Sequence, residues 1–350
     1  MPNEPLKFIP SDRIKEGDTT LRKREGLPAM RHRHEVRSLH AINAALAAGR
    51  PLLVRGDPGT GKSQLARAAA DLLNREFVWK VVDGETRVAD LFYTFDAVER
   101  LAQAQVAALL CGKGVEGEGD AGKATKTIED ILDELNFVRP GPLWWAFDPG
   151  GAELQARRYA ARAEVASAPA TGPRSGHVVL LDEIDKTDPS VPNGLLEALG
   201  QGTFEVPKGK VSLHGKGLPP LLVITTNEER ELPNAFVRRC MVLHLRLPAP
   251  EDGLEEWLVK RGKTHHEALA ASADDPDAKS LLREAVKIVI RDRVLAKTKG
   301  LLAPGQAEYL DLLRAVTELR TGEDEQIALL STIADFALKK HPSLHERPGA

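Results

Sequence analysis

The stretch that decides the fold is Leu52–Asn74, LLVRGDPGTGKSQLARAAADLLN. Its opening is a short apolar run, the pattern of a buried strand. From Lys62 onward, apolar residues recur at helical spacing. Between the two, Gly56–Ser63 reads GDPGTGKS and fits G-x-x-x-x-G-K-[ST], with the strand before and the helix after that this pattern requires. Gly56, Gly59 and Gly61 let the backbone around Asp57, Pro58 and Thr60 turn its N–H groups inward. N–H groups gathered at the positive end of a helix dipole face phosphate oxygens. Lys62 would then reach the β- and γ-phosphates of a nucleoside triphosphate, and the Ser63 hydroxyl would ligate Mg²⁺. A glycine-rich turn without a ligand is the plain alternative, and it leaves the register of strand, loop and helix unexplained.

Further along, HVVLLDEID (177–185) is an apolar run that stops abruptly in Asp182, Glu183 and Asp185. Four successive apolar residues suit a strand buried on both faces. Carboxylates at its end need compensation by a cation or by donors. Ligands bind at the carboxyl ends of parallel strands. The spacing therefore assigns Asp182 to Mg²⁺, mostly through water, and Glu183 to proton removal from an attacking water. PPLLVITTNE (219–228) is another β-rich run with a polar end, Asn227, whose neutral carboxamide could orient the same water or touch the γ-phosphate. Capping of the next turn is its bland alternative. PNAFVRRC (233–240) then places Arg238 and Arg239 side by side just before the strand-like MVLHLRLP, with no acidic partner close in sequence.

The whole chain sets the limits. Its 350 residues, 42% hydrophobic and 28% charged, have ordinary globular composition. A net charge of −3 argues against a generally basic nucleic-acid binder. The two cysteines, Cys111 and Cys240, make no metal spacing and fit a reducing compartment. No apolar run is long enough to span a membrane. The opening MPNEPLKFIPSDRIKEGD lacks the apolar region of a signal peptide, so a cytoplasmic protein is expected. Residues 1–34 lean basic, with RKREG and RHRH, and read as a solvated or partner-facing segment. Strands alternating with helices from 35 to 248 predict a mostly parallel sheet covered on both faces. KGVEGEGDAGKATK (113–126) reads as a loop, and TFEVPKGKVSLHGKG (203–217) as a hairpin whose tip carries Lys208, Lys210 and Lys216. From about 249 to 350 the pattern is helical, a second domain.

GDPGTGKS, LLDEID, Asn227, the arginine pair and the helical C-terminal region together resemble an AAA+ ATPase over roughly residues 35–320. DLFYTFDAVERL, FVRPGPLWWAF, LLDEIDK and TTNEERELPNAFVRRC are similar to its MoxR-like branch. The resemblance implies an α/β P-loop NTPase core with a parallel five-stranded sheet of order 5-1-4-3-2 and a C-terminal α-helical lid. It makes Asn227 the sensor 1 residue. It maps a helix-2 insertion near 94–140 and a pore-facing hairpin at 203–217. It implies ATP and Mg²⁺ as ligands, a homo-oligomeric ring, usually a hexamer, and a von Willebrand A-domain partner. The activity it implies is chaperone-like remodelling of a protein target. Arg238 and Arg239 fall where a neighbouring subunit's γ-phosphate is contacted by an arginine finger, and spacing leaves open which of them reaches it. An intrachain ion pair is the competing role for both.

One departure from the family pattern stands out. At the expected lid position of a sensor 2 arginine the chain has Gln306 or a neighbour, and Arg314 lies more than two turns later. Either that sensor is absent or another lid residue serves. Other classes fit less well. No NKxD guanine reader and no LSGGQ-like signature is present, so adenine is the default base, with a GTP-using McrB-like relative still open. A nucleic-acid motor using the hairpin lysines has only Phe204 there for base stacking. A slow nucleotide-gated switch is disfavoured by the full set of hydrolytic residues.

Overall fold

The computed structural model describes residues 4–24, 26–111, 129–163, 176–213, 217–266, 269 and 280–344. The chain opens with strands β1 (Gly17–Leu21) and β2 (Met30–His34), helix α1 (Val36–Ala48), β3 (Leu52–Arg55), α2 (Lys62–Leu72) and β4 (Glu76–Val81). Next come α3 (Val88–Phe92), β5 (Tyr93–Phe95), α4 (Ala97–Cys111), β6 (Val138–Pro140), α5 (Pro142–Phe147) and α6 (Pro149–Ala163). Then follow β7 (His177–Asp182), α7 (Ser190–Gln201), β8 (Thr203–Val206), β9 (Gly209–Ser212), β10 (Leu221–Thr226), α8 (Asn234–Val237) and β11 (Met241–His244). The C-terminal part is helical: α9 (Leu254–His265), α10 (Leu281–Thr298), α11 (Gln306–Leu319) and α12 (Glu323–Ala337). Among the described residues no helix is long and apolar enough to cross a membrane.

Five strands make one parallel sheet in the order β11-β3-β10-β7-β4. β7 pairs in parallel with β10, Leu221 opposite Val178, and with β4, Glu76 opposite His177. β7 and β10 are buried on both faces, as near-continuous Val, Leu and Ile runs demand. β4 closes the sheet as an edge strand and leaves Trp79 and Val81 exposed. Crossovers between parallel strands need helices, which the chain supplies.

Packing divides the chain into two compact units. One comprises residues 1–8, 42–53 and 73–241. Its apolar core includes Leu53, Leu91, Val179, Leu181, Leu195, Ile224 and Phe236. Phe204 at the root of the β8–β9 hairpin stacks on Phe92, centroids 4.6 Å apart, and meets Trp144 edge-on at 5.5 Å. Such pairs add about 0.5–1.5 kcal/mol beyond area burial. The hairpin expected at 203–217 is thus β8 and β9, with Lys208 in its turn at φ 65°. Lys216 lies outside the described residues, as does the loop expected at 113–126. Between 94 and 140 the chain builds a small antiparallel pair, β5 with β6, and the helix α4. Cys240 is a free, buried thiol.

The other unit comprises residues 9–41, 54–72 and 242–350. Its helical core gathers Leu258, Leu282, Val286, Val289, Tyr309, Leu312, Leu313 and Leu330. The basic N-terminal region, expected as a solvated or partner-facing segment, is folded into this unit. β1 and β2 pair antiparallel and lie on α2. The reason is that the arginines find partners. Arg24 bonds Asp71 at 2.8 Å, Arg33 bonds Asp18 at 3.0 Å and Glu16 at 3.2 Å, and Arg67 donates to the Pro28 carbonyl at 2.7 Å. The same hairpin holds α9. Arg261 bonds Glu35 at 3.0 Å and the Arg33 carbonyl, and its guanidinium lies 4.5 Å over the Trp257 ring. Trp257 Nε1 donates to Glu35, and the Thr264 hydroxyl donates to Asp18.

Histidines at this seam are kept neutral. Burial, then the Arg261 charge, pushes His32 down to about 3. Burial, then His266 and Arg261, pushes His265 down to about 4. Unfolded imidazoles titrate at 6.5, so below that pH the unfolded chain binds protons the folded chain refuses. Stability is full above that value and is lost as pH falls toward the folded values, by about 1.4 kcal/mol per pH unit for each such site. The expected outcome is a melting temperature that drops between about pH 7 and about pH 5. His32→Asn should flatten that slope, and an unaltered slope in the variant would count against the seam as its source.

Candidate functional site

The phosphate loop is a tight turn that glycine alone can make. Gly56, Gly59 and Gly61 have φ of 151°, 75° and 88°. A Cβ on Gly56 would sit 2.1 Å from the Leu245 carbonyl oxygen, and one on Gly59 would sit 2.7 Å from Ala307 Cβ. Side chains there would close the cradle. Lys62 begins α2 and is 7% exposed. Its ammonium donates to the Gly56 carbonyl at 2.8 Å and the Asp57 carbonyl at 2.9 Å. The Thr60 hydroxyl donates to Asp57 O at 2.9 Å, and Leu65 N–H to Gly61 O at 2.9 Å. A glycine-only turn, a buried ammonium and a helix N-terminus fit a polyphosphate. Ser63 is the second residue of α2.

In the same unit, a narrow cavity of about 30 Å³ is lined by Thr60, Leu65, His32, His34, Trp257 and Arg261, among others. His32 Nδ1 lies 3.4 Å from Gln64 Oε1. Sequence reasoning missed these residues, because RHRH looked like a solvated charge run. The alternating burial of β2 would have been the signal, with His32 and His34 both turned inward. The lid position examined for a sensor 2 arginine holds Gln306, the first residue of α11, 4% exposed. Its Oε1 is buried with no partner among the described residues. Arg314 lies on the exposed side, 3.6 Å from Asp311.

The acid-ended strand β7 belongs to the unit of residues 1–8, 42–53 and 73–241. Asp182 Oδ1 accepts a bond from the Thr225 hydroxyl, whose oxygen in turn accepts from Glu183 N–H at 3.0 Å. Glu183 is left-handed, φ 64° and ψ 46°, a conformation that costs a non-glycine residue about 1 kcal/mol or more. That turn aims its carboxylate back along the strand end. Asn227 Nδ2 donates to Glu183 Oε1 at 3.3 Å, and Lys186 Nζ lies 2.7 Å from Glu183 Oε2. The Glu183 carboxylate holds the Lys186 ammonium above its ordinary value. Asp185 is 2% exposed and accepts from Glu229 N–H at 2.9 Å. The structure thus brings together three residues read from the sequence, Asp182, Glu183 and Asn227. It adds two that were missed, Thr225 and Lys186. Thr225 is fully buried in β10, and a β-branched residue inside a strand gives no hint of a polar task.

Among the described residues no group of three or more His, Cys, Asp or Glu side chains gathers to hold a metal. Mg²⁺ does not need one, since it keeps several waters and takes one or two carboxylates plus phosphate oxygens.

Arg238 and Arg239 follow the single turn α8. Phe236, fully buried, and the buried Cys240 anchor it. Both guanidinium groups are on exposed residues, and among the described residues neither has an acidic partner. The intrachain ion pair expected as their competing role is thus not seen among the described residues. Arg50 donates to the Arg238 carbonyl at 3.5 Å, and Arg239 lines a cleft of about 1320 Å³ within its own unit.

Comparison with known proteins places these features. No curated protein matches the chain. A point mutant of RuvB from Thermotoga maritima is similar at 14% identity, over 85% of this chain and 68% of that one, with a TM-score of 0.40. A Cytophaga hutchinsonii protein described as a presumed ATPase is similar at 14% identity, over 84% of this chain and 78% of that one, with a TM-score of 0.35. The family described as the AAA domain of the dynein-related subfamily matches residues 51–240, a span that runs from β3 past the arginine pair. The chain is therefore a member of the AAA ATPases, within their dynein-related subfamily.

Proposed function

We propose that the chain is a MoxR-like AAA+ ATPase that hydrolyses ATP with Mg²⁺ in a homo-oligomeric ring and uses the turnover to remodel a protein target. The observation that carries the hydrolytic part is the Asp182–Thr225–Glu183–Asn227 network at the ends of β7 and β10. Mg²⁺, when bound, neutralises charge developing on the phosphates. This chain's residues do the rest. Gly56–Ser63 bind and orient the phosphates, with Lys62 leaving its own loop carbonyls for phosphate oxygens. Ser63 and Asp182 are the candidate metal donors. Glu183 accepts the proton of the attacking water, and Asn227 holds that carboxylate and water in line. Arg238 or Arg239, exposed and without an acidic partner among the described residues, is available to a neighbouring subunit's γ-phosphate.

A protein target suits the β8–β9 hairpin better than a nucleic acid does. Lys208 is paired with Asp133 at 2.9 Å and Lys210 with Glu205 at 3.1 Å. Phe204 is 6% exposed and stacked in the core, so it cannot stack on a base. A von Willebrand A-domain partner and a hexameric, cytoplasmic assembly remain part of the proposal through the MoxR-like resemblance alone.

Glu183→Gln keeps the shape and removes the base. ATP binding should persist while turnover falls roughly 10²- to 10³-fold. Undiminished turnover in a purified variant refutes the assigned role. Lys62→Ala should abolish nucleotide binding, measured by titration with a fluorescent ATP analogue. Mixing Lys62→Ala chains with Arg238→Ala/Arg239→Ala chains tests action across subunits. Each is expected to be inactive alone, and mixed rings should regain part of the activity. Mixed rings that form but stay silent would remove the arginine finger from the mechanism.

A further inference from the structure

We propose that Arg50, from the far end of α1, is a positioning residue for the arginine pair. It caps the turn that carries Arg238 and Arg239 and completes a face of three guanidinium groups that meets the neighbouring subunit's triphosphate. The inference rests on the reading of Arg238 or Arg239 as an arginine finger and adds to it a residue nearly two hundred positions away.

The backbone brings Arg50 to this place. α1 ends at Gly49, φ 59°, whose N–H bonds the Leu46 carbonyl at 3.4 Å while Arg50 N–H bonds the Ala45 carbonyl at 3.1 Å. Those two bonds around a left-handed glycine reverse the chain at a helix end. Pro51 follows, and its carbonyl accepts the Met241 N–H at 2.8 Å. Arg50 thus stands just before the point where β3 meets β11, and the arginine pair stands just before the same point on the other strand.

The last carbonyls of a helical turn find no partner within it, and an arginine side chain is one of the groups that satisfies them. At the end of α8 the Arg238 carbonyl accepts from Arg50 Nη1 at 3.5 Å. Burial pushes the Cys240 thiol up to about 11 and the Arg50 charge opposes that shift, so the guanidinium is also within electrostatic reach of the residue after the pair. Arg50 and Arg239 line the same cleft. The acids lining it, Asp148 and Glu197, bond the Gly151 N–H and the Gln201 amide, each at 3.0 Å. Among the described residues no carboxylate pairs with any of the three arginines. Like charges gathered on one face repel, and an anion brought by another molecule offsets that repulsion. Guanidinium forks match phosphate oxygens in geometry as well as charge.

Steady-state ATP turnover of the full chain, alone and in mixed rings, tests this, with native mass spectrometry to follow mixing. Arg50→Ala should lower kcat roughly tenfold with KM for ATP little changed, because its own phosphate loop is intact. Arg50→Lys, which keeps the cation, should recover part of the rate. Arg50→Ala mixed with Lys62→Ala should exceed Arg50→Ala alone, since an intact finger face then meets an intact phosphate loop. Arg50→Ala mixed with Arg238→Ala/Arg239→Ala should stay slow, since every finger face is then defective. A general folding defect would not give that one-sided pattern. Recovery with the arginine-pair variant, silence of mixed rings with Lys62→Ala, or an unimpaired kcat overturns the proposal. So does loss of assembly in Arg50→Ala and Arg50→Gln alike, because Arg50 would then be an assembly contact only. The two readings fail separately. Silent mixed rings of Lys62→Ala with Arg238→Ala/Arg239→Ala remove the finger itself. Recovery there beside an unimpaired Arg50→Ala removes the role of Arg50 alone.

Discussion

The hydroxyl of Thr225 is the point on which the geometry of the two acids at the end of β7 depends. It donates to Asp182 and accepts from the backbone of Glu183. Two carboxylates at the end of a fully buried strand are tolerable only when donors from elsewhere reach them. Those donors come from β10, and the parallel register of β10 on β7 brings them level. Ile224 pairs with Leu181, so the next residue on each strand is Thr225 and Asp182. A slip of one residue would turn Thr225 to the other face and leave Asp182 without its donor. The apolar core, through Val179, Leu181 and Ile224, therefore sets the geometry of residues that have nothing apolar about them.

The phosphate loop follows a different logic. Its shape is dictated locally, by glycines that tolerate positive φ and by the lack of room for any Cβ against Leu245 and Ala307. Lys62 is nearly buried, and its charge is met by two carbonyls of its own loop. Neutral carbonyls are a modest partner for an ammonium, and phosphate oxygens are a stronger one. In the polyphosphate reading of this loop, the Lys62 ammonium would exchange neutral carbonyl acceptors for anionic oxygens without desolvation of a new cation.

The unit holding that loop also joins the N-terminal hairpin to the helical C-terminal region. Arg261 is the centre of this junction, bonded to Glu35 and the Arg33 carbonyl and stacked on Trp257. Two inward histidines of β2 complete a polar seam that burial keeps neutral. The start of α11 presents the neutral, buried Gln306, next to Ala307 packed at Gly59.

Sequence alone determined the candidate stations: GDPGTGKS between a strand and a helix, an apolar run ending in Asp182 and Glu183, a strand ending in Asn227, and the arginine pair. These are local signals, because a glycine-only turn and an acid at the end of an apolar run announce themselves within a few residues. The alternation of strands and helices carried the α/β class for the same reason. Only the tertiary structure decided what Thr225 and Lys186 touch, that the basic N-terminal region is a folded hairpin, and that Phe204 is core. Each of those depends on residues far apart in the chain: a strand register, an arginine meeting Asp71, a ring meeting Phe92 and Trp144. A threonine in a strand or an arginine in a basic run has the same local pattern whether it is idle or essential. The partner that makes the difference is brought in by packing, which no short stretch of sequence contains.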